Sequence, residues 1–273
     1  MNHHTPEWFA ALPPGRRAAI EAAAVLEVFD ADALAALLGT PAGAVLEDLR
    51  LNGLLCSEGA GYRLDTGVQA TALMALREAP SHLHGLYGRA VHYYAARLAM
   101  SSAGERAAIE FTYTHFIEQL CEALIQQEPT ALAEVAGAAR LDLLAEPRHR
   151  HLLRFYRGLG AGLCESFALA QAEFERLLAE PDLDDAIRGR ALNSGAVFAR
   201  HQGDYERALE GYRQSQRIWE RMGNRARQGL ALMNQGSLKY VLQDYPAAER
   251  DLHASLNLFR EVDALHSQGL ALM

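Results

Sequence analysis

The hexapeptide QGLALM occurs twice, as Gln228–Met233 and again as Gln268–Met273, 40 positions on. A fixed period of 20–50 residues marks a chain built from stacked units, each too small to bury its own apolar face. The frame reaches beyond the hexapeptide. "GDYERALEGYRQS" (Gly203–Ser215) aligns with "QDYPAAERDLHAS" (Gln243–Ser255). Asp204 and Tyr205 fall on Asp244 and Tyr245, Ala208 on Ala248, Tyr212 on Leu252 and Ser215 on Ser255. Upstream, "SFALAQAEFERLL" (Ser166–Leu178) fits the same frame, with Phe167, Ala170, Phe174 and Leu177 at its aromatic, small, large and packing positions. A small residue, Gly158, Gly195 or Gly236, sits in the helix before each of these segments.

This pattern resembles the tetratricopeptide repeat (TPR), in the longer variant of about 40 residues per unit rather than 34. The resemblance implies two antiparallel helices per unit, A and B, that cross closely at the glycine of A and the alanine of B. It predicts A helices near 148–164, 184–201 and 225–242, and B helices near 167–179, 205–222 and 245–260. "LHSQGLALM" (Leu265–Met273) then reads as the start of a further A helix without its B partner, so the last repeat is truncated. A solenoid usually ends in a polar cap, which Leu270, Leu272 and Met273 are not. The expectation is a piece of a longer protein with more repeats; a full-length chain ending here is the alternative.

A different pattern fills the first hundred residues. "LPPGRRAAIEAAAVLEV" puts Pro13–Pro14 at a helix start, with apolar residues at helical spacing. "DADALAALLG" offers Asp30 or Asp32 as N-cap and Gly39 as C-cap. In "TPAGAVLEDLRLNGLL", Thr40 is expected to cap and Pro41 to take the first helical position, with Val45, Leu46, Leu49 and Leu54 facing a core. Two short strands, Leu54–Ser57 and Tyr62–Leu64, flank a Gly-containing turn, Glu58–Gly61. A helix from about Asp65 and another through Leu86–Ala99 follow. Three helices and a hairpin are the winged-helix order.

A winged helix followed by long TPRs resembles the C-terminal half of the signal-transducing ATPases with numerous domains (STAND), bacterial regulators of the maltose-activator kind included. "GRAVHYYAARL" (Gly88–Leu98) and "FTYTHFIEQLCEALIQ" (Phe111–Gln126) look like that family's connector. The expected fold is mainly α: a winged-helix-like domain (1–80), a helical connector (81–147) and a TPR superhelix, an α–α solenoid (148–273). The ATPase of the family needs the P-loop G-x-x-x-x-G-K-[ST]. That motif does not occur, and the one lysine, Lys239, lies in "GSLKYV". ATP hydrolysis is therefore not carried over, and no cofactor is expected.

Other chemistries find little support in the residues. The net charge of −8 gives no general attraction to nucleic acid. Residues 1–100 hold seven arginines against ten carboxylates, and the recognition-helix candidate Pro41–Asn52 sets Glu47 and Asp48 against Arg50. Cys56, Cys121 and Cys164 are widely spaced, without CxxC, which suggests a reducing compartment. With no signal peptide and no span-length apolar run, a cytoplasmic location is expected. The pairs His82/His84 and His149/His151 put two ligands on different sides of a helix, and His3/His4 are adjacent, so no metal site is expected. There is neither HExxH nor GxSxG. "GLGAGLCES" (Gly158–Ser166) lies in an A helix, where close packing accounts for its glycines. Asp184/Asp185 and Glu47/Asp48 read as solvated or capping carboxylates. No enzyme activity is expected.

What remains is the repeat surface, where stacked A helices carry partners. Asn193 and Asn234 each precede a glycine by two, and in peptide-binding TPRs an asparagine in helix A often holds the ligand backbone. An amide both donates and accepts, which suits a peptide bond. Arg200, Gln235 and Tyr240 are expected to share that face. The function expected is a non-enzymatic sensor or protein-interaction region of a bacterial regulator, binding a protein, peptide or small inducer and no membrane. A transcription regulator that binds DNA through its winged helix and a stand-alone TPR adaptor are the alternatives. A homodimer through the open last repeat is a further expectation.

Overall fold

The computed structural model describes residues 6–59, 61–125 and 127–262. The readings placed on His3/His4 and on Leu265–Met273 lie outside these residues. Contacts divide the chain into two compact units, residues 1–127 with 142–145 and residues 128–141 with 146–273. Both are mostly α-helical.

The first unit opens with α1 (Glu7–Ala10) and α2 (Pro14–Leu26), which starts at Pro14 because a proline N–H is not needed in a first turn. Ile20, Ala23 and Ala24 of α2 are buried. The helical pattern was expected to run to Val28, but α2 stops at Leu26. Glu27 takes φ = 62°, and Val28–Phe29 form β1. Asp30 caps α3 (Ala31–Leu38) by accepting from the Ala33 amide at 2.8 Å, and Gly39 ends it at φ = 73°. The next helix, α4 (Gly43–Leu51), begins later than Thr40 and Pro41 predicted. Its N-cap is Ala42, whose side chain makes no cap and is buried, so residues 40–42 serve as the connection from the left-handed Gly39.

Strands β2 (Leu55–Glu58) and β3 (Gly61–Leu64) form the expected hairpin, and β1 adds a third strand in the antiparallel order β1-β3-β2. Phe29 pairs with Tyr62, and Leu55 with Leu64. Gly61 is required here: a Cβ would stand 2.7 Å from the Phe29 carbonyl oxygen. Asp65 caps α5 (Thr66–Arg77) through the Gly67 and Val68 amides. In α6 (Pro80–Met100) and α7 (Arg106–Leu124), Tyr94 stacks on Phe116 with centroids 5.4 Å apart. Residues 81–147, read as one connector, are divided: α6 and α7 belong to the first unit and α8 (Pro129–Ala138) to the second.

In the second unit, α8 is followed by three helix pairs: α9 (Pro147–Leu163) with α10 (Phe167–Leu178), α11 (Asp185–His201) with α12 (Tyr205–Arg221), and α13 (Arg225–Val241) with α14 (Tyr245–Glu261). These bounds lie within about one residue of the predicted A and B helices. Helices α13 and α14 begin 40 residues after α11 and α12, so this is a TPR-like helical repeat region. Turn chemistry recurs with the period. Asp204 and Asp244 cap α12 and α14 through side-chain oxygens, each following a residue at positive φ, Gly203 or Gln243.

The helix crossing also repeats. The Ser215 hydroxyl donates to the Gly189 carbonyl oxygen at 2.8 Å, and Ser255 donates to that of Gly229 at 2.7 Å. Beside each link an aromatic ring lies on the glycine: a Cβ on Gly189 would stand 2.7 Å from Trp219, and one on Gly229 3.0 Å from Phe259. All members sit 40 residues apart. Gly229 is the glycine of QGLALM, so the hexapeptide is repeated around a helix contact. Ala170, Ala208 and Ala248 are buried as the small residues of the B helices.

One register needs correction. The 40-residue frame places Ala196, not Gly195, opposite Gly236. A Cβ on Gly236 would meet Leu252 at 2.8 Å and the Ala248 carbonyl oxygen at 3.1 Å, and Ala196 makes the matching close approach to Gly211. A Cβ on Gly195 would lie 3.5 Å from Phe174, an ordinary contact distance, so this position does not need a glycine.

The two serine links differ in one respect: Ser215 also accepts from the Trp219 indole N–H at 3.0 Å, whereas Phe259 has no such donor. Ser215→Ala strands a buried donor and should cost about 1–3 kcal/mol, while Ser255→Ala should cost about 1 kcal/mol. Urea unfolding of the two variants measures the difference; equal losses would exclude this role for the indole.

Candidate functional site

The structure joins two of the expected site residues directly. Asn193 on α11 and Asn234 on α13 are half-buried, and the Asn234 side-chain Nδ2 donates to the Asn193 Oδ1 at 3.0 Å. They are 41 residues apart, one more than the repeat period, so they do not hold equivalent positions: the equivalent of Asn193 is Met233. Their amides meet across neighbouring A helices. Asn234 thus uses one of its two side-chain N–H groups and Asn193 its carbonyl oxygen, which leaves the Asn193 NH2, the second N–H of Asn234 and the Asn234 carbonyl oxygen outside this contact.

Arg200 lies two helical turns after Asn193 on the same face of α11, since seven residues nearly complete two turns. It stands near the Tyr212 hydroxyl. Burial pushes the Tyr212 phenol up to about 12, and Arg200 works in the opposite direction. Arg200 forms no ion pair among the described residues. Gln235 and Tyr240 do not join this group. Gln235 is buried and donates to the Gln216 Oε1 on α12 at 2.8 Å, because it is turned 100° from Asn234 around the helix. Tyr240 is exposed and packs edge-on against Tyr245, with ring centroids 5.4 Å apart.

The sequence reading missed Arg190. Its guanidinium lies 4.4 Å from the Phe155 ring centroid and 5.4 Å from that of Tyr156, a cation–π contact from α11 to α9. Positions 190, 193 and 200 are spaced i, i+3 and i+10, and that helical periodicity was the available signal.

The glycine run of α9 is committed to packing. A Cβ on Gly158 would stand 2.8 Å from Phe174, on Gly160 2.9 Å from the Ala133 Cα, and on Gly162 2.1 Å from Phe198. Lys239 pairs with Asp251 at 2.5 Å. In the first unit, the basic residues closest to the winged-helix reading face carboxylates. Arg50 pairs with Glu47 at 2.7 Å, Arg63 with Glu58 at 2.7 Å and Arg16 with Asp48 at 2.6 Å. These arginines hold the Glu47 and Asp48 carboxyls below their usual range. Among the described residues, no three or more of His, Cys, Asp and Glu gather in a group able to hold a metal, and no helix is long and apolar enough to cross a membrane.

His82 pairs with Glu21 at 3.0 Å, and His151 is buried, its Nδ1 making no hydrogen bond. Burial is the main cause that holds the His151 imidazole below its ordinary range. Glu180 and Asp182 oppose it, and Arg150 and Arg154 add to it. A base with a lowered folded pKa stays neutral in the fold while the unfolded chain takes up a proton. The stability it permits is complete well above the unfolded value of 6.5 and falls as the pH drops through that value toward the folded one. The urea midpoint should therefore decline between about pH 7.5 and pH 5.5, the interval that spans the ordinary histidine pKa, and decline less in His151→Gln. An unchanged slope in that variant would rule out His151 as the source.

No family model matches the chain, and no curated protein matches it. Among solved structures it is similar to the signal transduction ATPase with numerous domains from Pyrococcus horikoshii, a STAND protein with a tetratricopeptide repeat sensor. The two share 12% identity over 97% of this chain and 53% of that one, with a TM-score of 0.34, so this chain spans about half the length of that neighbour. The helix pairing and the amide contact described above rest on this chain's own packing.

Proposed function

We propose that the chain is a non-enzymatic sensor or interaction region of a STAND-type regulatory protein, with a winged-helix-like first unit and a TPR-like second unit that binds a peptide or protein segment along its A helices. The Asn193–Asn234 amide pair carries this reading. It sets polar groups across two neighbouring A helices, with Arg200 on the same face and without a carboxylate partner among the described residues. A peptide backbone offers the alternating donors and acceptors that the remaining amide groups need. In a TPR-like superhelix this face is the concave one. The STAND assignment is supported by the order of elements, three helices with a β-hairpin followed by long repeats, and by the resemblance drawn from the sequence.

The test is a diverse peptide library screened with the chain and with Asn193→Ala/Asn234→Ala. Peptides selected by the chain should bind the double variant about tenfold more weakly, the equivalent of about 1.4 kcal/mol. The melting temperature should stay nearly unchanged. Equal binding by an intact double variant would reject the site.

No observation favours direct DNA binding by the first unit, because Arg16, Arg50 and Arg63 are all paired with carboxylates. A short mixed-sequence duplex should show no retardation by the chain at about 50 mM salt, where phosphate contacts are strong. A shift that weakens steeply with added salt would restore the DNA-binding reading.

A further inference from the structure

Helices α10 and α11 leave a cavity of about 60 Å³ between them. Its interior is apolar: the rings of Phe167, Phe174 and Phe198 meet Leu178, Leu192 and Gly195. The three rings lie against one another, the Phe198 centroid 6.1 Å from that of Phe167 and 6.2 Å from that of Phe174. The space exceeds the roughly 10–15 Å³ that one water needs, yet such walls offer water no hydrogen-bond partners, and apolar cavities favour apolar occupants.

A departure from the repeat makes this cavity. Counted from the first residues of α10 and α12, Leu178 matches Gln216; counted from those of α11 and α13, Gly195 matches Gln235. In that next repeat the two glutamines close the space, Gln235 donating to Gln216 at 2.8 Å. Between α10 and α11 the same positions hold a leucine and a glycine, and a cavity remains. Glycine weakens a helix interior, and the backbone does not demand it at this position. Its φ is not positive, and an added Cβ would make only an ordinary contact with Phe174. A side chain there would enter the cavity, so the glycine keeps it open.

The mouth is polar and its charges balance. Glu175 Oε1 accepts from Gln171 Nε2 at 2.8 Å and from the Arg207 guanidinium at 3.0 Å. Its Oε2 and the exposed Gln202 side-chain amide form no hydrogen bond among the described residues. Aromatic walls favour an aromatic occupant through offset and edge-on ring contacts. A carboxylate already paired with an arginine still accepts a hydrogen bond from a neutral donor. We propose that this cavity binds a small neutral compound with one aromatic ring and one hydroxyl, the ring against Phe174 and Phe198 and the hydroxyl donating to Glu175. Asn193 precedes Gly195 by two residues, about 200° around α11, so the cavity and the amide pair lie on opposite sides of the helix. The peptide-binding reading therefore stands or falls separately.

Phenol, titrated into the full chain and followed by NMR, is the probe. It should bind with a Kd of about 1 mM, in keeping with its few heavy atoms. Its ring protons should give NOEs to Phe174 and Phe198. Leu178→Gln with Gly195→Gln reproduces the pair of the next repeat and should abolish binding in a chain that stays folded. Benzoate, which sets a carboxylate against Glu175, should bind about tenfold more weakly than phenol. The proposal is overturned by a response that does not saturate by about 10 mM phenol, by equal binding in the folded double variant, or by NOEs confined to other residues. Benzoate binding as tightly as phenol overturns it too. If the double variant unfolds, the NOEs in the parent chain decide alone.

Discussion

The close crossing of each A helix with its B helix is the constraint on which the repeat unit depends. At Gly189 and Gly229 a serine hydroxyl reaches the backbone carbonyl, and an aromatic ring occupies the volume that a Cβ would need. Both contacts require a bare backbone at that point. The hydroxyl satisfies its own hydrogen-bonding need inside the interface, where an unpaired polar group would cost more than the bond itself contributes. The helix pair is therefore pinned in register, and its remaining apolar face is left for the next pair.

The candidate site follows from that stacking. Asn193 and Asn234 belong to different repeats, and their amides meet only because α11 and α13 lie side by side. Their 41-residue separation breaks the period by one position, a turn of about 100° on a helix, which lets one amide face the other instead of both facing the same way. The same turn sends Gln235 into the α12 interface. Polar residues next to one another in sequence thus serve different purposes, one at the surface between A helices and one inside the stack.

The helical repeats were legible because their signals are local and reinforced by recurrence. Periodic apolar residues, the Asp204 and Asp244 caps and the buried alanines each act within one or two turns. Elsewhere local signals misled. The alanine-rich run before Val28 continues a helical pattern, and only pairing of Val28–Phe29 with Arg63 and Tyr62 shows where it ends. Thr40–Pro41 has the composition of a helix start, yet burial of Ala42 moves the start beyond it. Gly195 suggested the crossing point by residue type, while packing assigns that role to Ala196.

The amino-acid sequence by itself determined the period, the boundaries of the six repeat helices and the small alanines of the B helices, because steric and capping preferences operate over a few neighbouring residues. Only the tertiary structure decided which glycine lies under which ring, which arginines are held by carboxylates, and that Asn193 binds Asn234 while Gln235 does not. Those outcomes depend on the rotation of each helix about its axis. That rotation is set by the simultaneous packing of neighbouring helices and is not encoded in any single segment.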